Sequence, residues 1–227
     1  MKVILLESTR NAEHVVAKAA AQCYSSGFVG DNYETIKPSS DEALIERVIK
    51  MGHLSVLEHA SFTFAIEGIS RACSHQLVRF RHATFSQQSQ RYCSFEDGAP
   101  YIIPPSILNI PELVDSYEEM MLEVQDFYSF LLKAGIPAED ARFVLPNATE
   151  TKLVMTMNAR ELHHAFNLRC CVHAQWEIRA LFDAILAVVK NICPVIFAKA
   201  GASCKKGYCP EGDRTCGKLK GGVQNEH

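Results

Sequence analysis

The densest run of chemistry-bearing side chains occupies sixteen positions and holds Gln76, Arg79, Arg81, Ser86, Gln87, Gln88, Ser89, Gln90 and Arg91. Arginine presents a rigid planar fork of donors that matches phosphate oxygens, and serine hydroxyls with loop amides complete an anion cradle. A phosphorylated small molecule is the natural ligand for such a set. The competing reading is a plain solvated loop, because connecting segments are polar as a rule. Ser89 also admits a nucleophile reading. That role needs a partner base, and spacing alone fixes no histidine beside it, although folding is able to bring His53 or His82 near. Phosphate or nucleotide binding is the better reading of Ser89.

Other candidate clusters carry less. The chain has no G-x-G-x-x-G and no Walker pattern, so a Rossmann or P-loop cofactor site is not indicated. His53 and His59 are six apart and His163 and His164 are adjacent; neither pair has the i, i+4 spacing of two ligands on one helix face, so no metal is expected. Cys204, Cys209 and Cys216, with Cys193 upstream, lie among Gly, Lys and Pro and match no C-x2-C knuckle. Zinc, oxidative pairing and free thiols all stay open for them, free thiols being the default in a reducing compartment.

Arg79-Phe80-Arg81, then seven residues, then Ser89 resembles the R-H-R-x7-S signature of the flavin-dependent thymidylate synthases, and Gln90-Arg91-Tyr92 continues it. Upstream, Gly52-His53, Ser55 and Glu58-His59 are similar to that family's loop near the flavin. Downstream, Ala141-Arg142-Phe143-Val144-Leu145-Pro146, Asn158-Ala159-Arg160, Asn167-Leu168-Arg169 and His173-Ala174-Gln175-Trp176-Glu177 resemble further family segments in order. The resemblance spans residues 1–200. It implies reductive methylation of dUMP to dTMP, with 5,10-methylenetetrahydrofolate as carbon donor and NADPH reducing a bound FAD.

Carried over by position, the resemblance implies that His53, Ser55, Arg79, Phe80, Arg81, Gln87, Asn158, Ala159, Arg160 and His164 contact FAD. It assigns Gln76, Arg79, Gln87, Gln88, Ser89, Gln90, Arg91, Arg142 and Arg169 to dUMP. Arg169, placed at the uracil ring, is the catalytic candidate: a permanent cation there favours the deprotonated, electron-rich ring. Phe80 replaces the usual signature histidine, Gln87 stands where some relatives have glutamate, and His164 where some have asparagine. The family also implies a homotetramer with active sites shared between subunits. Two other readings are a nucleotide-binding module without turnover and a flavin–folate methyltransferase acting on RNA; the chain lacks the basic surface the second would need.

These residues have to be positioned by a folded domain. Lys2 to Glu7 reads as a strand, followed by a helix capped by Thr9, with Val15, Val16, Ala19 and Ala20 at helical spacing. Ser40, Asp41 and Glu42 open a second helix that Gly52 ends, leaving His53 in a loop. Phe62, Phe64 and Ile66 alternate through a strand from Ser61 to Glu67 that Gly68 closes. A helix from about Ser70 runs into Arg79, and Phe80 to Arg91 reads as one long loop. Pro111 opens an amphipathic helix reaching about Ala134, with Gly135 at its end. Thr151 to Met157 reads as a strand, Asn158 as a helix cap, and Ala174 to Ile192 as a long apolar helix. Strands and helices do not alternate regularly, which predicts an α+β fold with a mixed or antiparallel sheet flanked by helices. Residues 1–200 are expected to form one domain and residues 201–227 a Cys/Gly/Lys-rich tail.

Bulk properties agree with a globular enzyme of small ligands. The chain has 227 residues, 48% hydrophobic and 22% charged, with a formal charge of -3 and a pI near 6.3. No overall basic field favours a nucleic-acid partner. No apolar run is long enough for a membrane span, and Val3 to Leu6 is too short for a secretory core, so a cytoplasmic location is expected.

Overall fold

The computed structural model describes residues 1–30, 41–95 and 98–219. It is an α+β fold built on an antiparallel four-stranded sheet of order β1-β2-β4-β3. β1 is Lys2–Ser8, β2 Ser61–Ser70, β3 Ala83–Gln87 and β4 Glu150–Asn158. In β2, Phe62, Phe64 and Ile66 are buried while Thr63, Ala65 and Glu67 are not, and β4 alternates in the same way with Thr151, Leu153, Met155 and Met157 inside. That period of two is what a sheet covered on one face requires.

Cα proximity groups the chain into two compact units. One comprises Met1–Lys2, Ala65–Arg79 and Phe85–Val154; the other comprises Val3–Phe64, Phe80–Thr84 and Met155–His227. The second unit contains helices α1 (Ala12–Gln22) and α2 (Asp41–Lys50), which pack together, and a 3-10 turn over Leu54–His59. The first contains α3 (Arg71–Leu77), α4 (Pro105–Leu108), α5 (Pro111–Lys133) and α6 (Ala138–Ala141). The second unit continues with α7 (Ala159–Arg169) packed on α8 (Trp176–Ile192). Its core includes Phe62, Phe166, Phe182 and Phe197, all fully buried; Phe197 lies edge-on to both Phe62 and Phe166, as does Phe182 to Phe166.

Several local readings are met closely. Gly52 has φ 76 and follows α2, so His53 does sit just past a helix end. Pro111 opens α5 and Gly135, at φ 84, follows its end. Asn158 caps α7 by accepting from the Glu161 N–H at 2.9 Å.

Others need correction. The segment Phe80 to Arg91 is not all loop: Ala83–Gln87 is an edge strand in which Ala83, Phe85 and Gln87 turn inward and Thr84 and Ser86 face water. Its small and polar residues hide the alternation that pairing with β4 creates. Thr9 does not cap α1; Asn11, at φ 50, occupies the cap without a side-chain bond, and the Thr9 hydroxyl accepts from the Ser61 N–H instead. β2 runs through Gly68 to Ser70. Gly68 has φ 74, and a Cβ there would lie 2.8 Å from the Met1 nitrogen, so the glycine admits the N-terminus rather than ending the strand. α3 stops at Leu77 and α8 begins at Trp176. The Ser40 reading lies outside the described residues, and among those residues no helix is long and apolar enough to cross a membrane.

Candidate active site

The signature segment spans both units, and its parts are described within each. In the first unit, Ser70 caps α3 by accepting from the Cys73 N–H at 3.0 Å, which fixes the start of the helix bearing Gln76. Arg79 follows the end of α3, where its Nε donates to the His75 carbonyl at 3.2 Å and the side chain is otherwise exposed. Gln87 ends β3 with its Nε2 donating to the Ser74 and Thr151 hydroxyls. The Gln88 N–H donates to the Lys152 carbonyl at 2.9 Å, pinning the strand end from which Ser89, Gln90 and Arg91 continue. Ser89 Oγ accepts from the Arg91 N–H at 3.1 Å, so this hydroxyl orders the turn that presents Arg91. Arg91 pairs with Glu139, whose carbonyl also receives Arg142 Nε at 3.0 Å. Arginines 91 and 142 thus converge on one residue.

Arg71 lies close to Arg142, and sequence reading passed it over. Burial and then the nearby Arg142 guanidinium hold its pKa below the usual arginine value. A cation in the first turn of a helix opposes the helix dipole, which is the signal that singles it out. Two repelling guanidiniums are stabilised by an anion, and a phosphate fits that charge.

In the second unit, Phe80 faces inward, only 7% exposed. Its ring meets Phe182 edge-on at 5.6 Å and His164 at 6.2 Å, and the Arg169 guanidinium lies over it at 5.5 Å from the centroid. Three of the sequence-selected residues therefore meet at the C-terminal half of α7. The position that usually carries histidine here supplies an aromatic floor under a cation. Arg169 Nε is buried and has no hydrogen-bond partner. A buried donor left unpaired costs about 1–3 kcal/mol, so its presence marks a place where a ligand acceptor fits.

Arg160 and Ala159 lie at the N-terminal end of α7, which packs against the 3-10 turn. Arg160 is exposed and ion-paired with Glu58 of the 3-10 turn. Exposed pairs of this kind contribute little, about 0–1 kcal/mol. His53 and Ser55 are exposed beside that turn, as is Arg81 after Phe80. Ala159 is fully buried and its N–H donates to the Ala60 carbonyl at 2.8 Å, so its part is to hold α7 against the turn. His163 faces the other way from its exposed neighbour His164: its Nε2–H donates to the Ile196 carbonyl at 2.9 Å and its ring stacks on Phe197. The tail cysteines Cys204, Cys209 and Cys216 line one pocket with Cys171 and His173, yet among the described residues no three such side chains are placed to hold a metal. Burial pushes the thiols of Cys170 and Cys193 up to about 12.

The family model described as thymidylate synthase complementing protein matches residues 4–195. The chain belongs to this family. A flavin-dependent thymidylate synthase of Geobacter sulfurreducens is 53% identical over 219 residues, 96% of this chain and 94% of the relative. Proteins of the same name from Nitratidesulfovibrio vulgaris and Pyrococcus abyssi are 45% and 42% identical, covering 96% and 93% of the chain. The segments from Gly52 to Glu177 that resemble the family all fall inside the matched region.

Proposed function

We propose that this chain is a flavin-dependent thymidylate synthase, a methyltransferase that converts dUMP to dTMP. The observation that carries the reading is the family match over residues 4–195, which contains the whole arginine and serine constellation. Bound FAD, reduced by NADPH, supplies the hydride that completes a methyl group whose carbon comes from 5,10-methylenetetrahydrofolate. The residues present suit that cofactor: Arg81 and Arg160 are exposed cations for a pyrophosphate.

Gln76, Arg79, Gln87, Gln88, Ser89, Gln90, Arg91 and Arg142 bind dUMP, with Arg71 sharing the phosphate charge. His53, Ser55, Arg79, Phe80, Arg81, Gln87, Asn158, Ala159, Arg160 and His164 bind or frame the flavin. Arg169 stabilises negative charge developing on the uracil ring, and Phe80 holds its guanidinium in place. Such preorganised electrostatic help needs no enzyme nucleophile.

Residues 1–200 form the catalytic domain and 201–227 a tail. The enzyme assembles as a homotetramer, a reading supported by α5, which leaves Leu113, Met120, Phe127 and Phe130 exposed along one side, and by Phe143, which is 82% exposed. Cysteines such as Cys204, Cys209 and Cys216, which form no disulfide, suit the reducing cytoplasm. The test is chromatographic detection of dTMP from dUMP, methylenetetrahydrofolate, NADPH and FAD. Formation of dTMP with turnover is expected. Tight dUMP binding with no dTMP formed would instead identify a nucleotide-binding module.

A further inference from the structure

Gln87 reads its ligand with one chosen end of its amide, and two buried hydroxyls make the choice. Ser74 is fully buried, and its hydroxyl donates to the Arg71 carbonyl at 3.0 Å. A serine hydroxyl has a single proton, so with that proton committed the oxygen can only accept from any further neighbour. The neighbour is Gln87 Nε2 at 2.9 Å. The same nitrogen lies 3.0 Å from Thr151 Oγ1, itself 3% exposed. Each of the two amide protons therefore has its own hydroxyl acceptor, and the flipped amide would set a carbonyl oxygen against the Ser74 lone pairs. The carbonyl Oε1 remains as the end that meets a ligand.

We infer that Ser74 and Thr151 are positioning residues that lock Gln87 as a hydrogen-bond acceptor toward the bound nucleotide. This rests on the proposed binding of dUMP at Gln87. An acceptor at that place selects a donor on the ligand, either the 3'-hydroxyl of the deoxyribose or the imide N–H of the uracil ring before it is deprotonated. A glutamate at position 87 would turn an acceptor toward Ser74 and force the serine proton away from Arg71, so residues 74 and 87 are coupled in this chain.

The test is a binding cycle with dUMP, read as Kd, on wild type, Thr151→Val, Ser74→Ala with Thr151→Val, Gln87→Ala, and all three changes together. Freeing the amide is expected to weaken dUMP binding about fivefold, the worth of one neutral hydrogen bond. In the Gln87→Ala background the same two changes are expected to do nothing further, and Thr151→Ser, which keeps the hydroxyl, is expected to retain wild-type affinity. A merely structural role for the hydroxyls would give equal losses in both backgrounds, and that result overturns the inference. So does unchanged binding in Thr151→Val and in the paired variant. Should Ser74→Ala not fold, Thr151→Val against Thr151→Ser decides alone. Two analogues identify the donor: N3-methyl-dUMP loses affinity on wild type but not on the freed variant if the imide is read, and 2',3'-dideoxy-UMP does so if the hydroxyl is. Failure of wild type to bind dUMP at all would sink the functional reading, and it is seen before any variant is made.

Discussion

Protonation of His163 should unlock the helix that carries the site. The ring is 6% exposed, donates to the Ile196 carbonyl and stacks on Phe197 at 5.2 Å. Burial, with a smaller contribution from the Lys206 cation, lowers its pKa from 6.5 to about 4, against the opposing pull of the Ile196 hydrogen bond. Between these values the unfolded chain holds a proton on this histidine that the folded chain refuses. Stability is therefore fully present above pH 6.5 and falls as the pH drops toward 4. The gap amounts to about 3 kcal/mol at roughly 1.4 kcal/mol per decade, a large part of the stability of an ordinary domain. Urea midpoints at pH 7.5, 5.5 and 4.5 for wild type and His163→Gln measure it. Glutamine keeps a donor for Ile196 but does not titrate, so subtracting its profile removes the carboxylates common to both proteins. Wild type is expected to lose about 2.5 kcal/mol more than the variant down to pH 4.5, the rest of the gap lying below it. Parallel profiles would show that His163 titrates normally and is not locked as described.

Arg169→Lys is expected to lower kcat by about a hundredfold or more, the scale of one lost charge-stabilising donor, with dUMP affinity nearly intact; full turnover with intact binding would remove Arg169 from the chemistry. Arg71→Gln should weaken dUMP at least tenfold, since hydrogen bonds to charged groups are worth about 1.5–3 kcal/mol, and unchanged binding in calorimetry would place Arg71 outside the phosphate site. Asn158→Ala removes the α7 cap and should cost about 1 kcal/mol in urea unfolding, with an unchanged midpoint contradicting the cap. Phe127→Glu with Phe130→Glu should reduce the mass seen by light scattering below that of a tetramer; an unchanged tetramer would move the interface away from α5.

Much of this fold is legible in the sequence because its signals are local. Asn158 and Gly135 sit where a cap and a helix end need them, and Phe62, Phe64 and Ile66 announce β2 by alternation alone. β3 is not legible in this way: Ala83, Thr84, Phe85, Ser86 and Gln87 carry one large apolar residue, and only pairing with β4 makes them a strand. Thr9 looks like a cap, yet its hydroxyl is drawn to Ser61, fifty-two residues away, a contact no local pattern contains. The site shows the same division. The arginines and Ser89 stand out by type and spacing, whereas Arg71 acquires its meaning from Arg142 and Gln87 from Ser74 and Thr151, partners brought together by the sheet.

The central claim, that this chain methylates dUMP with a hydride drawn from a bound reduced flavin, is tested most directly by the visible spectrum of the purified protein during anaerobic addition of NADPH, with and without dUMP. A flavin spectrum that NADPH bleaches, at a rate that dUMP changes, is the predicted result. A protein that binds dUMP but takes up no flavin even when FAD is supplied would contradict it.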